Sequence, residues 1–112
     1  MGAVLSTHVL DTARGRPASG ILVGLFALEE GHRRHVATTH TNADGRTDAP
    51  LAADLAPGTY ELLFAVGEYF ARENVTGFFE AIPIRFRIDD AAGKYHVPLL
   101  LSPWGYSTYR GS

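Results

Sequence analysis

The heptapeptide Ile82-Pro83-Ile84-Arg85-Phe86-Arg87-Ile88 alternates apolar and other residues with a period of two. A strand places every second residue on one face, so Ile82, Ile84, Phe86 and Ile88 are expected to point inward and Pro83, Arg85 and Arg87 outward. A strand that is apolar on one side only needs a second layer to cover that side. The rest of the chain supplies that layer in the same pattern.

Ala3 to Leu10 places Ala3, Leu5, Thr7 and Val9 on one face and Val4, Ser6, His8 and Leu10 on the other. Ile21 to Leu28 is apolar on both faces, as in a strand held between layers, whereas Arg33 to Thr41 is polar and β-branched and reads as a more exposed strand. Tyr60, Leu62, Phe64 and Val66 share a face of a strand over Thr59 to Val66. Tyr95, Val97, Leu99 and Leu101 do so in a strand that turns His96, Pro98 and Leu100 the other way. Turn chemistry separates these runs at Asp11 to Pro17, Glu29 to His32, Asn42-Ala43-Asp44-Gly45-Arg46, Pro57-Gly58, Asp90 to Gly93 and Ser102-Pro103-Trp104-Gly105. A last strand follows Gly105. Leu51 to Pro57 is weakly patterned, and Glu68 to Asn74, free of Gly and Pro, predicts a single short helix. Seven or so short strands and one helix predict a mainly β fold, a two-sheet antiparallel sandwich, in one domain spanning residues 1–112.

The composition narrows the function. A net charge of -2 offers neither a basic stripe for nucleic acid nor a polybasic membrane patch, and no run is long enough to cross a bilayer as a helix. Without cysteine there is no disulfide framework and no thiolate chemistry. No charged segment followed by a long apolar stretch marks a secretory leader, so a cytoplasmic location is expected, with a peroxisomal one also compatible. Met1 to Ser6 fits the loose myristoylation pattern, but the same residues open the first strand and are read as that strand.

Five histidines are the candidates for chemistry. His32 and His35 stand among Glu29, Glu30, Arg33 and Arg34, and His40 lies on the exposed strand; all three read as solvated. His8 and His96 lie inside strands among apolar neighbours, where an imidazole needs a partner. The spacing matches no zinc site and no Gly-x-Ser-x-Gly elbow, so neither a metal nor a serine nucleophile is expected. What remains is an imidazole general base with an arginine to hold an anionic group, Arg46 or Arg110. A solvated turn residue is the plainer reading of Arg46.

The residues Leu5-Ser6-Thr7-His8-Val9-Leu10-Asp11, Gly15-Arg16-Pro17-Ala18, Asn42-Ala43-Asp44-Gly45-Arg46, Tyr95-His96-Val97-Pro98-Leu99-Leu100-Leu101-Ser102-Pro103 and the closing Tyr109-Arg110-Gly111-Ser112 give a more specific answer. Over essentially its whole length the chain resembles the transthyretin-related 5-hydroxyisourate hydrolases. The resemblance implies a transthyretin-like sandwich of two four-stranded sheets, one strand more than the pattern supplies, to be found near Leu51 to Ala53. It also implies a homotetramer built as a dimer of dimers, no cofactor, and hydrolysis of 5-hydroxyisourate in urate degradation. Carried over by position, His8, Arg46, His96 and Ser112 are the catalytic candidates, and His8, Arg46, Tyr109, Arg110, Gly111 and Ser112 the substrate-binding ones. Either histidine is a candidate base, held by the other or by the Ser112 hydroxyl. The chain departs from the common family pattern at Trp104 and at Phe78-Phe79-Glu80-Ala81, which bears on the local path before Ile82. The rival class is a non-catalytic transthyretin-like carrier or binding module, which shares the fold and lacks the closing tetrapeptide.

Overall fold

The computed structural model describes residues 2–112. Nine strands and one helix follow the chain as β1 (Ala3–Asp11), β2 (Arg16–Pro17), β3 (Leu22–Glu29), β4 (His32–His40), β5 (Ala52–Leu55), β6 (Gly58–Phe64), α1 (Val66–Arg72), β7 (Ile82–Ile88), β8 (Lys94–Ser102) and β9 (Gly105–Thr108). One sheet runs β4-β3-β6-β7. The other runs β2-β1-β8-β9, with β5 added on β1. The fold is the expected mainly β sandwich with one helix. Of the Met1 to Ser6 pattern, Met1 lies outside the described residues and Ala3 to Ser6 belong to β1.

Alternation and burial coincide. Leu5 and Val9 of β1, Val23 and Leu25 of β3, Leu62 and Phe64 of β6, Ile82 and Ile88 of β7, and Leu99 and Leu101 of β8 are buried between the sheets. Each such side chain contributes about 1.5–3 kcal/mol relative to exposure, so this one layer holds the two sheets together. In β3, Leu22, Phe26 and Leu28 on the outer face stay partly exposed, so the second covering layer expected there is not supplied by this chain.

The pairing of β1 with β8 is parallel, the only parallel pairing among the described strands, and sets Ser6 beside His96 and His8 beside Pro98. Weakly patterned 51–57 contains the eighth long strand, β5, which pairs with β1 at only two positions, Ala3 with Leu55 and Leu5 with Ala52, across an irregularity. The two-residue β2 is an addition that alternation cannot reveal.

The helix lies two residues earlier than Glu68 to Asn74. Val66, Tyr69 and Phe70 form its buried face at i, i+3 and i+4, so Val66 joins the helix rather than β6. Its end is a Schellman closure. Asn74 takes a left-handed φ of 57°, and the Asn74 and Val75 amides donate to the Ala71 and Phe70 carbonyls at 3.2 and 2.9 Å. A buried carboxylate ties the helix to β1: Asp11 Oδ2 accepts the Tyr69 hydroxyl at 2.6 Å and Oδ1 accepts the Arg14 amide at 3.0 Å. Burial, reinforced by that hydrogen bond, pushes the Tyr69 pKa up to about 12 from its ordinary 10.0. The neutral phenol is therefore the native form, and its contribution to stability fades as pH rises through the interval between those two values. Tyr69→Phe leaves the buried Asp11 with one partner fewer and is expected to cost about 1–3 kcal/mol in urea unfolding near neutral pH. A change below about 0.5 kcal/mol would show that the bond does not anchor the helix.

Candidate active site

The outward face of the β1–β8 pair carries the unusual chemistry. Alternation turns Ser6 and His8 of β1 to the side away from the core, and the parallel register brings His96 of β8 directly beside Ser6. The Ser6 Oγ lies 2.8 Å from His96 Nδ1. The ring therefore has as its partner neither His8 nor the Ser112 hydroxyl. Ser6 is the residue that sequence reasoning missed, although alternation already placed it on the face of His8.

The third side chain comes from a turn. Asn42 organises it: its side-chain oxygen accepts the backbone amides of Asp44 at 2.9 Å and Arg46 at 3.2 Å, and its backbone N–H donates to the Arg46 carbonyl at 2.7 Å. Gly45 is required here, with φ of 75° and a position where an added Cβ would come within 2.3 Å of the Val9 carbonyl oxygen. That close approach presses the turn on β1, where the Val9 amide donates to the Gly45 carbonyl at 2.8 Å. His8 Nε2 donates to the Asp44 carbonyl at 3.0 Å. A carbonyl can only accept, so Nε2 of His8 carries a hydrogen. Arg46 is thereby delivered to the mouth of a cleft of about 380 Å³, lined by Val4, Ser6, Arg46, Lys94, His96 and Ser112, among others. A shallower depression continues past Arg46 to Thr47 and Asp48.

The closing tetrapeptide returns to this site. The β8–β9 hairpin pairs Ser102 with Gly105 and Leu99 with Thr108, and the same register continues to a bridge between His96 and Gly111. The Gly111 amide donates to the His96 carbonyl at 2.7 Å. A Cβ on Gly111 would stand 2.6 Å from His96 Cδ2, so only glycine lets the imidazole lie where it does. Ser112 reaches the cleft. Tyr109 and Arg110 instead line a separate groove of about 230 Å³ between the open edges of β7 and β9. There the Arg110 guanidinium sits 4.5 Å from the centre of the Tyr95 ring. The structure thus brings His8, Arg46, His96, Gly111 and Ser112 to one place and sets Tyr109 and Arg110 at the neighbouring edge of the same chain. His32, His35 and His40 are exposed on β4. Among the described residues no three His, Asp or Glu side chains converge as a metal site would require.

The electrostatics favour a neutral His96. Burial, then the charge of Arg46 and the proximity of His8, hold its pKa below the usual 6.5. A neutral imidazole at neutral pH can accept a proton. Its other nitrogen, Nε2, has no hydrogen-bond partner among the described residues, and no buried side-chain polar atom among them lacks one. Nε2 is therefore accessible to solvent, on a residue that lines the cleft. What the cleft offers is an available base nitrogen with a guanidinium beside it to stabilise negative charge.

Fold and cleft together define a two-sheet β-sandwich with a basic, imidazole-bearing site on one sheet. Residues 5–111 match the family described as Transthyretin: HIUase/Transthyretin family, and the chain belongs to it. A relative from Rhizobium meliloti (strain 1021), 5-hydroxyisourate hydrolase 2, is 56% identical over 96% of this chain and 95% of its own length. The solved structure of Klebsiella pneumoniae 5-hydroxyisourate hydrolase is 40% identical, covers 98% of this chain and 99% of that one, and superposes with a TM-score of 0.87. The crystal structure of transthyretin from Sparus aurata superposes with a TM-score of 0.90 at 27% identity, covering 96% of this chain and 95% of that one.

Arg46→Gln removes a positive charge beside His96 and is expected to raise its titration midpoint toward the ordinary value in an NMR pH series. An unmoved midpoint would rule out the coupling. In the wild type the lowered pKa means that His96 contributes stability above the ordinary 6.5 and loses it as pH falls through the native value. Gly111→Ala is expected to shift the His96 ring signals and to speed hydrogen exchange at the residue 111 amide, while global stability changes by less than about 1 kcal/mol. Unchanged ring signals would show that the close approach does not position the imidazole.

Proposed function

We propose that this chain is a hydroxyisourate hydrolase, opening the cyclic amide of 5-hydroxyisourate to give 2-oxo-4-hydroxy-4-carboxy-5-ureidoimidazoline in urate degradation. The observation that carries the reading is the open Nε2 of a neutral His96 facing the cleft that Arg46 borders. The 5-hydroxyisourate hydrolase names of the similar proteins supply the substrate.

Water bound in the cleft loses a proton to His96 Nε2 as its oxygen forms the bond to the ring carbonyl carbon. Negative charge collects on the carbonyl oxygen, where the Arg46 guanidinium stabilises it through its fixed fork of donors. The carbon–nitrogen bond then breaks, and the proton held by His96 passes to the departing nitrogen. The imidazole ends as it began, with no covalent intermediate. His8, fixed by the Asp44 carbonyl, and Ser112 and Gly111 from the closing segment bound the substrate.

The chain works as one domain in the cytoplasm and assembles as a tetramer, a dimer of dimers. The free edges of β7 and β9, which flank the groove holding Tyr109 and Arg110, favour edge-to-edge pairing of subunits. In that assembly Tyr109 and Arg110 stand at a subunit boundary and bear on substrate from there.

The test is to generate 5-hydroxyisourate with urate oxidase and follow its ultraviolet absorbance with and without the protein. The wild type is expected to speed the decay well beyond the spontaneous rate, and His96→Ala to lose about a hundredfold to ten-thousandfold of kcat with its circular dichroism intact. Decay no faster than the spontaneous rate would overturn the function and leave the non-catalytic carrier. Near wild-type turnover by His96→Ala would remove His96 as the base.

A further inference from the structure

We propose that Ser6 is a positioning residue for His96: its hydroxyl oxygen accepts a hydrogen bond from Nδ1–H of the ring and so fixes the tautomer in which Nε2 carries the lone pair. The inference rests on the proposed hydrolytic reading and specifies how its base is prepared.

A neutral imidazole carries one hydrogen on two nitrogens, and only the bare nitrogen can take a proton from water. A hydroxyl can serve either as donor or as acceptor, so the 2.8 Å separation of Ser6 Oγ and His96 Nδ1 admits both tautomers. The surroundings distinguish their consequences. With Ser6 as donor, the ring hydrogen would sit on Nε2, the nitrogen open to the cleft, and the site would hold no base there. With Ser6 as acceptor, Nδ1 is committed to the protein and Nε2 is free at the position water can reach.

Three features hold this arrangement. Ser6 and His96 are direct partners across the β1–β8 ladder, so the backbone sets their separation, and a serine hydroxyl has a single rotatable bond to orient. On its Cδ2 edge the ring abuts Gly111, where an added Cβ would approach to 2.6 Å. A ring flip would turn Nδ1 toward Gly111 and place a carbon opposite the Ser6 oxygen. His8 is committed in the opposite sense, since its Nε2–H donates to the Asp44 carbonyl. The two imidazoles that share this face are therefore locked through different nitrogens, and only His96 has its Nε2 left over for the cleft.

Nitrogen-15 NMR of the histidine rings in the full chain reads the tautomer directly. The wild type is expected to show a protonated Nδ1 and a bare Nε2 at His96. Ser6→Ala is expected to show a mixture of tautomers, with kcat for 5-hydroxyisourate down about tenfold, the size of one neutral hydrogen bond, and KM little changed. Ser6→Thr, which keeps the hydroxyl, is expected to restore both readouts. A wild-type ring protonated at Nε2 would overturn the proposal, as would Ser6→Ala turning over at the wild-type rate. A wild type without hydrolase activity would instead overturn the proposed function, while the ring spectrum still decides the Ser6 bond. The wild-type spectrum decides it even where a variant does not fold.

Discussion

The site depends on the parallel ladder between β1 and β8. The cleft and its surroundings are placed with reference to it: Ser6 and His8 on one strand, His96 on the other, the Arg46 turn pressed against β1, and the closing segment paired with β8. The two strands lie at opposite ends of the chain, so their pairing forms only when the whole sandwich closes. Their register is fixed from the other side. Leu5, Val9, Val97, Leu99 and Leu101 fill the core, and a slip of one residue on either strand would expose them while driving an imidazole inside. The same hydrophobic burial that stabilises the fold therefore also aligns Ser6 with His96.

The local charge balance follows from this placement. Arg46 and Lys94 border a cleft whose centre is a half-buried imidazole, and burial and neighbouring positive charge act on that ring in the same direction. Both disfavour the imidazolium form. An isolated surface histidine near its ordinary pKa would be part protonated at neutral pH and correspondingly less often competent as a base. In the proposed reaction one arginine serves two ends: it adds to the effect of burial in disfavouring the His96 imidazolium, and it neutralises the charge that develops on the substrate.

Much of this was legible in the sequence, and the gaps have physical causes. Strands with one core face announce themselves because burial imposes a period of two, as at Ile82 to Ile88 and Ala3 to Asp11. β5 does not, since Ala52-Ala53-Asp54-Leu55 makes two pairings and includes Asp54 at a φ of 57°. The helix was displaced because Val66 fits the alternation of β6 as well as the buried face of α1; packing decided between them. Within the site, His8, His96, Arg46 and the closing tetrapeptide were legible through resemblance. Ser6 was not, because pairing partners across a parallel ladder leave no mark on either strand. Arg110 and Tyr109 share the tetrapeptide with Gly111 and Ser112, yet lie at a different opening. The chain runs along the groove at Tyr109 and Arg110 before Gly111 bridges to His96 and Ser112 enters the cleft, so a contiguous motif need not be a contiguous surface.

The bridge between Gly111 and His96 places one wall of the cleft on a short segment that adds nothing to the buried apolar core. Such segments open at low free-energy cost while core strands remain closed. Warming or mild denaturant should therefore disable the enzyme in two stages. The catalytic pocket would lose a side and admit bulk water while the sandwich still stands, and cooling would rebuild it without refolding. The cleft would then have a narrower working range than the fold that carries it, set by the grip of one strand extension.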